Sequence, residues 1–443
     1  MNWLMCMLLA GFISSQSYGQ ISVTVTGNTN ATPALAGSYS SLADAITDLN
    51  LVTSLSGPVV FELAAGTSEN TAAQYNITLA GDLANAITFQ KSGVGANPVL
   101  NRTDAGSNTT STVGGLGDAV IRIDGTDNLH FDGLDVTASN QGIENGYFTS
   151  KTATNACQTF SIKNCAITMT KGTSAYVMGI HIGNGSTSVS AATGVTVSAN
   201  SGRTENVTIT GVTISNVHIG IYCRGYNSAT LCDQNLVIGA SGAGNGNTIQ
   251  NFGGGSGTTT YGIYIIYANN ANANYNTINN AGGGGSAHAS TLYGIFYTTG
   301  VIGTISGSNN NITMNTSGTS AVQWIFNGNT GTSINFNNNT FGGTIGATST
   351  SYLIYNNNSS ASVSVSGNAT SGTITKTGAS GTFYGYYNNG SPTSGTETIS
   401  GNNFSNISVT GSSVFTGINS TTGVGQNCDI FNNTISSVTA GTG

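Results

Sequence analysis

Tyr261-Gly-Ile-Tyr264, Tyr293-Gly-Ile-Phe296, Gln323-Trp-Ile-Phe326, Tyr352-Leu-Ile-Tyr355 and Tyr384-Gly-Tyr-Tyr387 follow one another at steps of 29 to 32 residues. Met178-Gly-Ile-His181 and Ile219-Gly-Ile-Tyr222 precede them at wider steps of 41 and 42 residues, and Phe415-Thr-Gly-Ile418 follows. A second unit, Asn before a β-branched or aromatic residue, keeps the same phase: Asn247-Thr-Ile249, Asn276-Thr-Ile278, Asn310-Asn-Ile312, Asn339-Thr-Phe341, Asn402-Asn-Phe404 and Asn433-Thr-Ile435, with a weak copy near Gly372-Thr-Ile374. A fixed period is the signature of a repeat architecture. Between the units lie alternating β-branched stretches such as Asn206-Val-Thr-Ile-Thr-Gly-Val-Thr-Ile214 and turns rich in Gly, Asn and Ser. Short strands with no helix between them predict stacked coils of roughly 30 residues. Ile and Val then point inward, and Asn at a bend stacks on the Asn of the next coil. Low-complexity disorder is disfavoured by the phased apolar positions.

Composition supports a solenoid. Only 6% of the 443 residues are charged, against about 25% in an average protein. Adjacent coils lie about 4.8 Å apart, so a repeated charge faces its own copy. Nine basic against 16 acidic residues leave no surface for nucleic acid. The run Leu4–Ile13 before Ser14–Gly19 reads as a secretory signal over residues 1–19, and no later segment reaches the length of a membrane span. The mature chain is expected to be secreted, extracellular and without a cofactor. Cys157 and Cys165, like Cys223 and Cys232, are close enough to staple local loops, while Cys428 stands alone. The four His are too far apart in sequence to suggest zinc.

One helix is expected. Leu42, Ala45, Ile46 and Leu49 have helical spacing, with Ser41 and Asp44 as caps, and such a helix suits the end of a solenoid. Here the chain resembles a known family. Tyr39-Ser-Ser-Leu-Ala-Asp-Ala-Ile46 and Val59-Val-Phe-Glu-Leu-Ala-Ala-Gly66 look like the start of the pectate-lyase-like right-handed parallel β-helix superfamily. Ala86-Ile-Thr-Phe-Gln90 and Asn128-Leu-His-Phe-Asp-Gly-Leu134 resemble its early coils. The resemblance implies an all-β fold, with an N-terminal cap and first coils over 20–116 and β-helix repeats over 117–443 that stop without an end cap. It implies no reaction, since lyases, hydrolases, adhesins and structural proteins share the fold. The composition also resembles Bacteroidetes-type secreted cell-surface repeat proteins.

Two functional classes remain. Lyases and hydrolases of this superfamily need charged groups in a cleft. After residue 240 only Lys376, Glu397 and Asp429 are charged, so a lyase or hydrolase site belongs near residues 118–232. Asp118, Asp124, Asp127, Asp132 and Asp135, with Arg122 and His130, are the densest group there. Asp-Gly pairs at strand ends read as turns, with Ca²⁺ ligation and catalysis as the alternatives. Arg203, Glu205 and Arg224 carry no lyase motif, and no catalytic or metal residue is assigned. The other class is a non-catalytic surface, adhesin-like or glycan-contact module. With Ile180, Ile221, Ile263, Ile295, Ile325, Ile354, Tyr386 and Ile418 inward, the next residues face out. They are His181, Tyr222, Tyr264, Phe296, Phe326, Tyr355, Tyr387 and Asn419. Tyr222 to Tyr387 form the candidate ligand-binding strip, exposed enough that truncation should cost little stability. The rings either support one another as a ladder or pack under the long loops, or the strip meets a partner, a polysaccharide or another surface protein.

Overall fold

A computed structural model describes residues 19–79, 84–107, 117–172, 176–186, 193–254, 258–282, 284–423 and 426–441. The signal assigned to 1–19 lies outside them except for its last residue. In most coils the chain visits three sheets in turn, and the last coils add Thr344–Ile345, Ile374–Lys376, Ile407–Val409 and Val438–Ala440 as a separate four-stranded sheet. The chain runs along Asp233–Gly239 in the first, Thr248–Phe252 in the second and Thr260–Ile266 in the third, then re-enters the first at Ala268–Asn274. Every coil pairs parallel with the next, and the third sheet counts eleven strands among the described residues. This is a parallel β-solenoid of about eleven coils.

The registers match the sequence phase residue for residue. Ile180, Ile221, Ile263, Ile295, Ile325, Ile354, Tyr386 and Ile418 pair in succession down the third sheet. The first seven are fully buried, and Ile418 is half-buried. A slip of one residue would turn this whole column out to solvent.

The bend between the first and second sheets is held by asparagine. Nδ2 of Asn247, Asn276, Asn310, Asn339, Asn368 and Asn402 each donates to Oδ1 of the next coil's Asn, ending at Asn433, at 2.8–3.1 Å. The same Oδ1 atoms accept the backbone N–H of the preceding Asn. Asn310 Nδ2 also reaches Ala273 O at 2.9 Å. The six residues from Asn247 to Asn402 are at most 1% exposed, so the bend leaves no buried backbone group open at these points. The copy at this coil is Asn368, not the Gly372-Thr-Ile374 segment that the sequence suggested. Shorter ladders run through Asn327, Asn356 and Asn388 inside, and through Asn206, Asn235 and Asn270 outside.

The helix α1, Leu42–Leu49, buries Leu42, Ala45, Ile46 and Leu49 as the spacing predicts. The Ser41 hydroxyl accepts the Asp44 amide at 3.1 Å. The Glu69 carboxylate also accepts the Leu42 and Ala43 amides, at 2.8 and 3.1 Å, placing a negative charge on the positive end of the helix. Strand Val23–Thr26 pairs antiparallel with Val59–Ala64 and Ser38–Tyr39, so one side of the first parallel strand is covered.

Neither of the nearby cysteine pairs, Cys157/Cys165 and Cys223/Cys232, is closed. All five described cysteines are free. Cys157, Cys165, Cys223 and Cys232 are buried, and burial pushes the Cys157 and Cys165 thiols up to about 12. They act as small core residues.

Candidate functional site

The outward neighbours of the buried isoleucines do form one column. His181, Tyr222, Tyr264, Phe296, Phe326, Tyr355, Tyr387 and Asn419 are partners in consecutive strands. From Tyr222 to Tyr387, neighbouring ring centroids are 4.8–5.2 Å apart. Phe148 extends the column backward, stacked on His181 at 4.5 Å, with the Arg122 guanidinium 5.2 Å from the Phe148 ring.

The expectation of an exposed strip needs two corrections. Tyr222 is 1% exposed, within a cluster that includes Tyr176, Met178, Ile219 and Tyr261. Tyr264, Phe296, Phe326, Tyr355 and Tyr387 are half-buried, so their truncation costs packing as well as contact. The cover comes from a second column. Tyr261, Tyr293, Gln323, Tyr352 and Tyr384 are in register beside the first. Tyr261 stacks on Tyr264 at 4.3 Å, and Tyr352 on Tyr355 at 4.4 Å.

A strict alternation places Tyr261 inside with Ile263, and the structure shows why it is not. A Cβ on Gly262 would meet Ile278 Cγ2 at 2.7 Å and Gly294 O at 2.6 Å. Gly262 turns inward next to Ile263, and Tyr261 and Tyr264 both emerge. The signal was present in the sequence as aromatics at both ends of Tyr-Gly-Ile-Tyr.

Ring orientation decides what this face offers. Tyr261 and Tyr293 stack at an interplanar angle of 9°, and so do Tyr352 and Tyr384. In the first column the contacts are mixed: Phe296 stacks on Phe326 at 24°, whereas Tyr264–Phe296, Phe326–Tyr355 and Tyr355–Tyr387 meet edge-on at 61–79°. Burial pushes the Tyr293 and Tyr352 phenols up to about 12, so they stay neutral and able both to donate and to accept. The Tyr355 hydroxyl donates to Asn357 Oδ1 at 2.6 Å.

The acidic segment does not converge. Asp118 lies 3.4 Å from Arg102, and Asp124 pairs with Arg122 at 2.8 Å. Asp127 accepts the Gln158 amide, Asp132 accepts Asn164 Nδ2, and Asp135 accepts Asn97 Nδ2 and the Ala166 amide. Asp118, Asp124 and Asp127 therefore serve separate pairs or turns, while Asp132 and Asp135 both hold the 164–166 bend. Desolvation pushes Asp127 up to about 6. Among the described residues no three His, Cys, Asp or Glu side chains gather as metal ligands. His130 bonds Ser161 and Asn128. Arg203 pairs with Glu205 at 2.8 Å, and Arg224 lies 5.9 Å from the Tyr267 ring.

Other charges are structural, and sequence reading had left them unassigned. Lys151 and Asp233 form a buried pair at 2.5 Å. Lys376 Nζ is buried and donates to the carbonyls of Ala347, Gly378 and Ser380 and to the Ser413 hydroxyl. Glu397 is buried and accepts from the Tyr386 hydroxyl, Asn388 Nδ2 and the Ser420 hydroxyl at 2.7, 2.8 and 2.5 Å. Hydrogen bonding of this density makes a buried charge tolerable.

No helix among the described residues is long and apolar enough to cross a membrane. No family model matches the chain, and no curated protein matches it. Among solved structures it is similar to a mutant of the periplasmic alginate epimerase AlgG, at 11% identity over 99% of both chains with a TM-score of 0.31. It is also similar to the GH136 lacto-N-biosidase from Eubacterium ramulus, at 10% identity over 85% of this chain and 63% of that one with a TM-score of 0.38. The parallel β-solenoid itself stands on the chain's own registers.

Proposed function

We propose that this chain is a secreted, non-catalytic β-helix module whose third sheet contacts an extended, neutral glycan. In this reading the coils wind right-handed, residues 20–116 with helix α1 close the N-terminal end, and the module is displayed outside the cell as in surface repeat proteins. The observation that carries the reading is the doubled, in-register aromatic face from Tyr261 to Tyr387. It repeats once per coil, at about 5 Å, close to the spacing of sugars along an extended chain. Neutral phenols and aromatic rings offer hydrogen bonds and apolar contact without charge. A face of this kind on an otherwise polar surface suits a partner. The lyase or hydrolase alternative has no comparable support, because each carboxylate of 118–135 is engaged in an ion pair or in holding a bend.

Affinity electrophoresis in gels containing neutral or acidic polysaccharides tests this. The protein should be retarded by at least one neutral polymer, without release of reducing or unsaturated ends. Tyr355→Ala and Tyr387→Ala should each weaken retardation several-fold while far-UV circular dichroism stays β-rich. Absence of retardation in every gel, or equal retardation of both variants, rejects glycan contact through this face.

A further inference from the structure

One buried ion pair reaches across three successive bends of the solenoid. Lys151 follows strand Asn145–Ser150, and Asp233 opens strand Asp233–Gly239. Strand Asn145–Ser150 pairs with Met178–Ile182, which pairs with Ile219–Arg224, the strand whose bend leads to Asp233. The two residues are therefore two coils apart, and 82 residues apart in sequence. Lys151 Nζ donates to Asp233 Oδ1 at 2.5 Å, and the two side chains are 0% and 1% exposed. Nζ thus stands no farther than about 3.7 Å from the carboxyl carbon, the hydrogen-bond length plus one C–O bond. Oδ1 also accepts the Thr204 backbone N–H, from the middle bend, at 3.0 Å. The second carboxyl oxygen, Oδ2, is buried with no hydrogen-bond partner. A buried salt bridge normally satisfies both oxygens, so this orphan calls for a reason. Arg203, the other cation near Asp233, is held by Glu205 at 2.8 Å. Cys157, Cys223 and Cys232 also lie near Lys151, and burial keeps their thiols protonated. Lys151 is the amine that faces the carboxyl.

We propose that Lys151 and Asp233 condense to an intramolecular amide, a covalent staple that joins the first of these bends to the third. Proton transfer within the pair gives an amine and a carboxylic acid. The Nζ lone pair attacks Cγ, and the Cγ–Oδ2 bond breaks. Two of the three ammonium protons leave with Oδ2 as water, and the third stays on the amide nitrogen. No oxidant or other co-reactant enters. Burial raises the Asp233 carboxyl, toward the acid form that an amine attacks, while the charge of Lys151 opposes this. Negative charge develops on Oδ1 during the attack, where the Thr204 N–H already points, and the same N–H then serves the amide carbonyl. The atom that leaves is the one without a partner. Holding the two groups in contact replaces an encounter in solution, and the product exchanges two buried charges for one neutral group. The staple closes a loop across 82 residues and resists unwinding of the coils between its ends. It stands whether or not the aromatic face binds glycan.

Mass spectrometry of the whole protein, denatured and reduced, tests the staple. The intact mass should lie below that of the sequence, counted from its determined N-terminus, by the mass of one water. Trypsin does not cut after an acylated lysine, so digestion should leave residues 123–163 uncut at Lys151 and joined to the fragment 225–376 that contains Asp233. Lys151→Arg, which keeps the positive charge but offers no amine, should show the full sequence mass and no branched peptide. A full sequence mass with normal cleavage after Lys151 in the unmodified protein overturns the proposal. So does a loss of water that persists in Lys151→Arg or that maps to a linear peptide, as from ring closure at Asp124-Gly125 or Asp132-Gly133. Should Lys151→Arg fail to fold, the branched peptide in the unmodified protein decides alone.

Discussion

Asn310→Ala should destabilise the solenoid by about 2–6 kcal/mol, as two buried polar groups lose partners at about 1–3 kcal/mol each. They are the Asn276 backbone N–H, which uses Asn310 Oδ1, and the Ala273 carbonyl, which uses Asn310 Nδ2, whereas Asn276 Nδ2 keeps the Ile238 and Asn274 carbonyls. No water reaches this bend, since Asn276 and Asn310 are each 1% exposed. Guanidinium denaturation is the measurement. Because a repeat array need not unfold as one unit, the transition should broaden or split around the altered coil. Asn389→Ala, which removes an exposed donor to Asn357 Oδ1, is the control and should cost under about 1 kcal/mol. If both variants behave alike, the internal ladder does not hold the bends.

Acid should weaken the fold through its buried imidazoles, with His181 the clearest. It lies between Phe148 and Tyr222, with ring centroids at 4.5 and 5.0 Å, and its Nε2 has no partner. Burial, with Arg224 adding to it, pushes this imidazole down to about 3. The folded value lies below the unfolded one, so the unfolded chain binds the proton first as pH falls through about 6.5. Stability is full above that pH, declines below it, and levels off only beneath the folded value. At about 1.4 kcal/mol per unit, His181 alone removes on the order of 3 kcal/mol by pH 4. Asp127 acts in the opposite direction, since burial raises its carboxyl to about 6 and protonation there favours the folded state between about 6 and 4. His181→Phe keeps the ring stack and removes the titration. The gap between variant and parent, measured by denaturation at pH 7 and pH 4, should therefore shift by about 3 kcal/mol in favour of the variant. A gap independent of pH would show that His181 is solvated.

The coil phase, the inward isoleucines and the asparagine bend were legible because a solenoid writes each contact into the sequence many times. Ile295 meets Ile263 and Ile325 because all three occupy one position of a repeat. Helix α1 was legible from its apolar spacing and Ser41. The features that were not legible depend on single, non-repeating contacts. Glu69 reaches the α1 amides from 26 or 27 residues away, and Lys151 meets Asp233 across 82 residues. Tyr222 is buried in a cluster that includes Tyr176, which no period announces. The second aromatic column was hidden differently. Two consecutive inward residues, Gly262 and Ile263, break the alternation from which faces are read, and the aromatics at both ends of Tyr261-Gly-Ile-Tyr264 are its trace in the sequence.

The central claim is that aromatics from successive repeats stand in one outward column, in register from coil to coil. Disulfide trapping between 326 and 355 tests it most directly, since these positions are direct partners in adjacent parallel strands although 29 residues apart. Partners in adjacent strands fall in the Cα separation that a disulfide tolerates, about 4.4–6.8 Å. Phe326→Cys combined with Tyr355→Cys should oxidise readily under mild conditions to an intramolecular bond, identified by peptide mass. Failure of that pair, with efficient closure of Phe326→Cys combined with Ile354→Cys, would put the register off by one residue and contradict the assignment of the face.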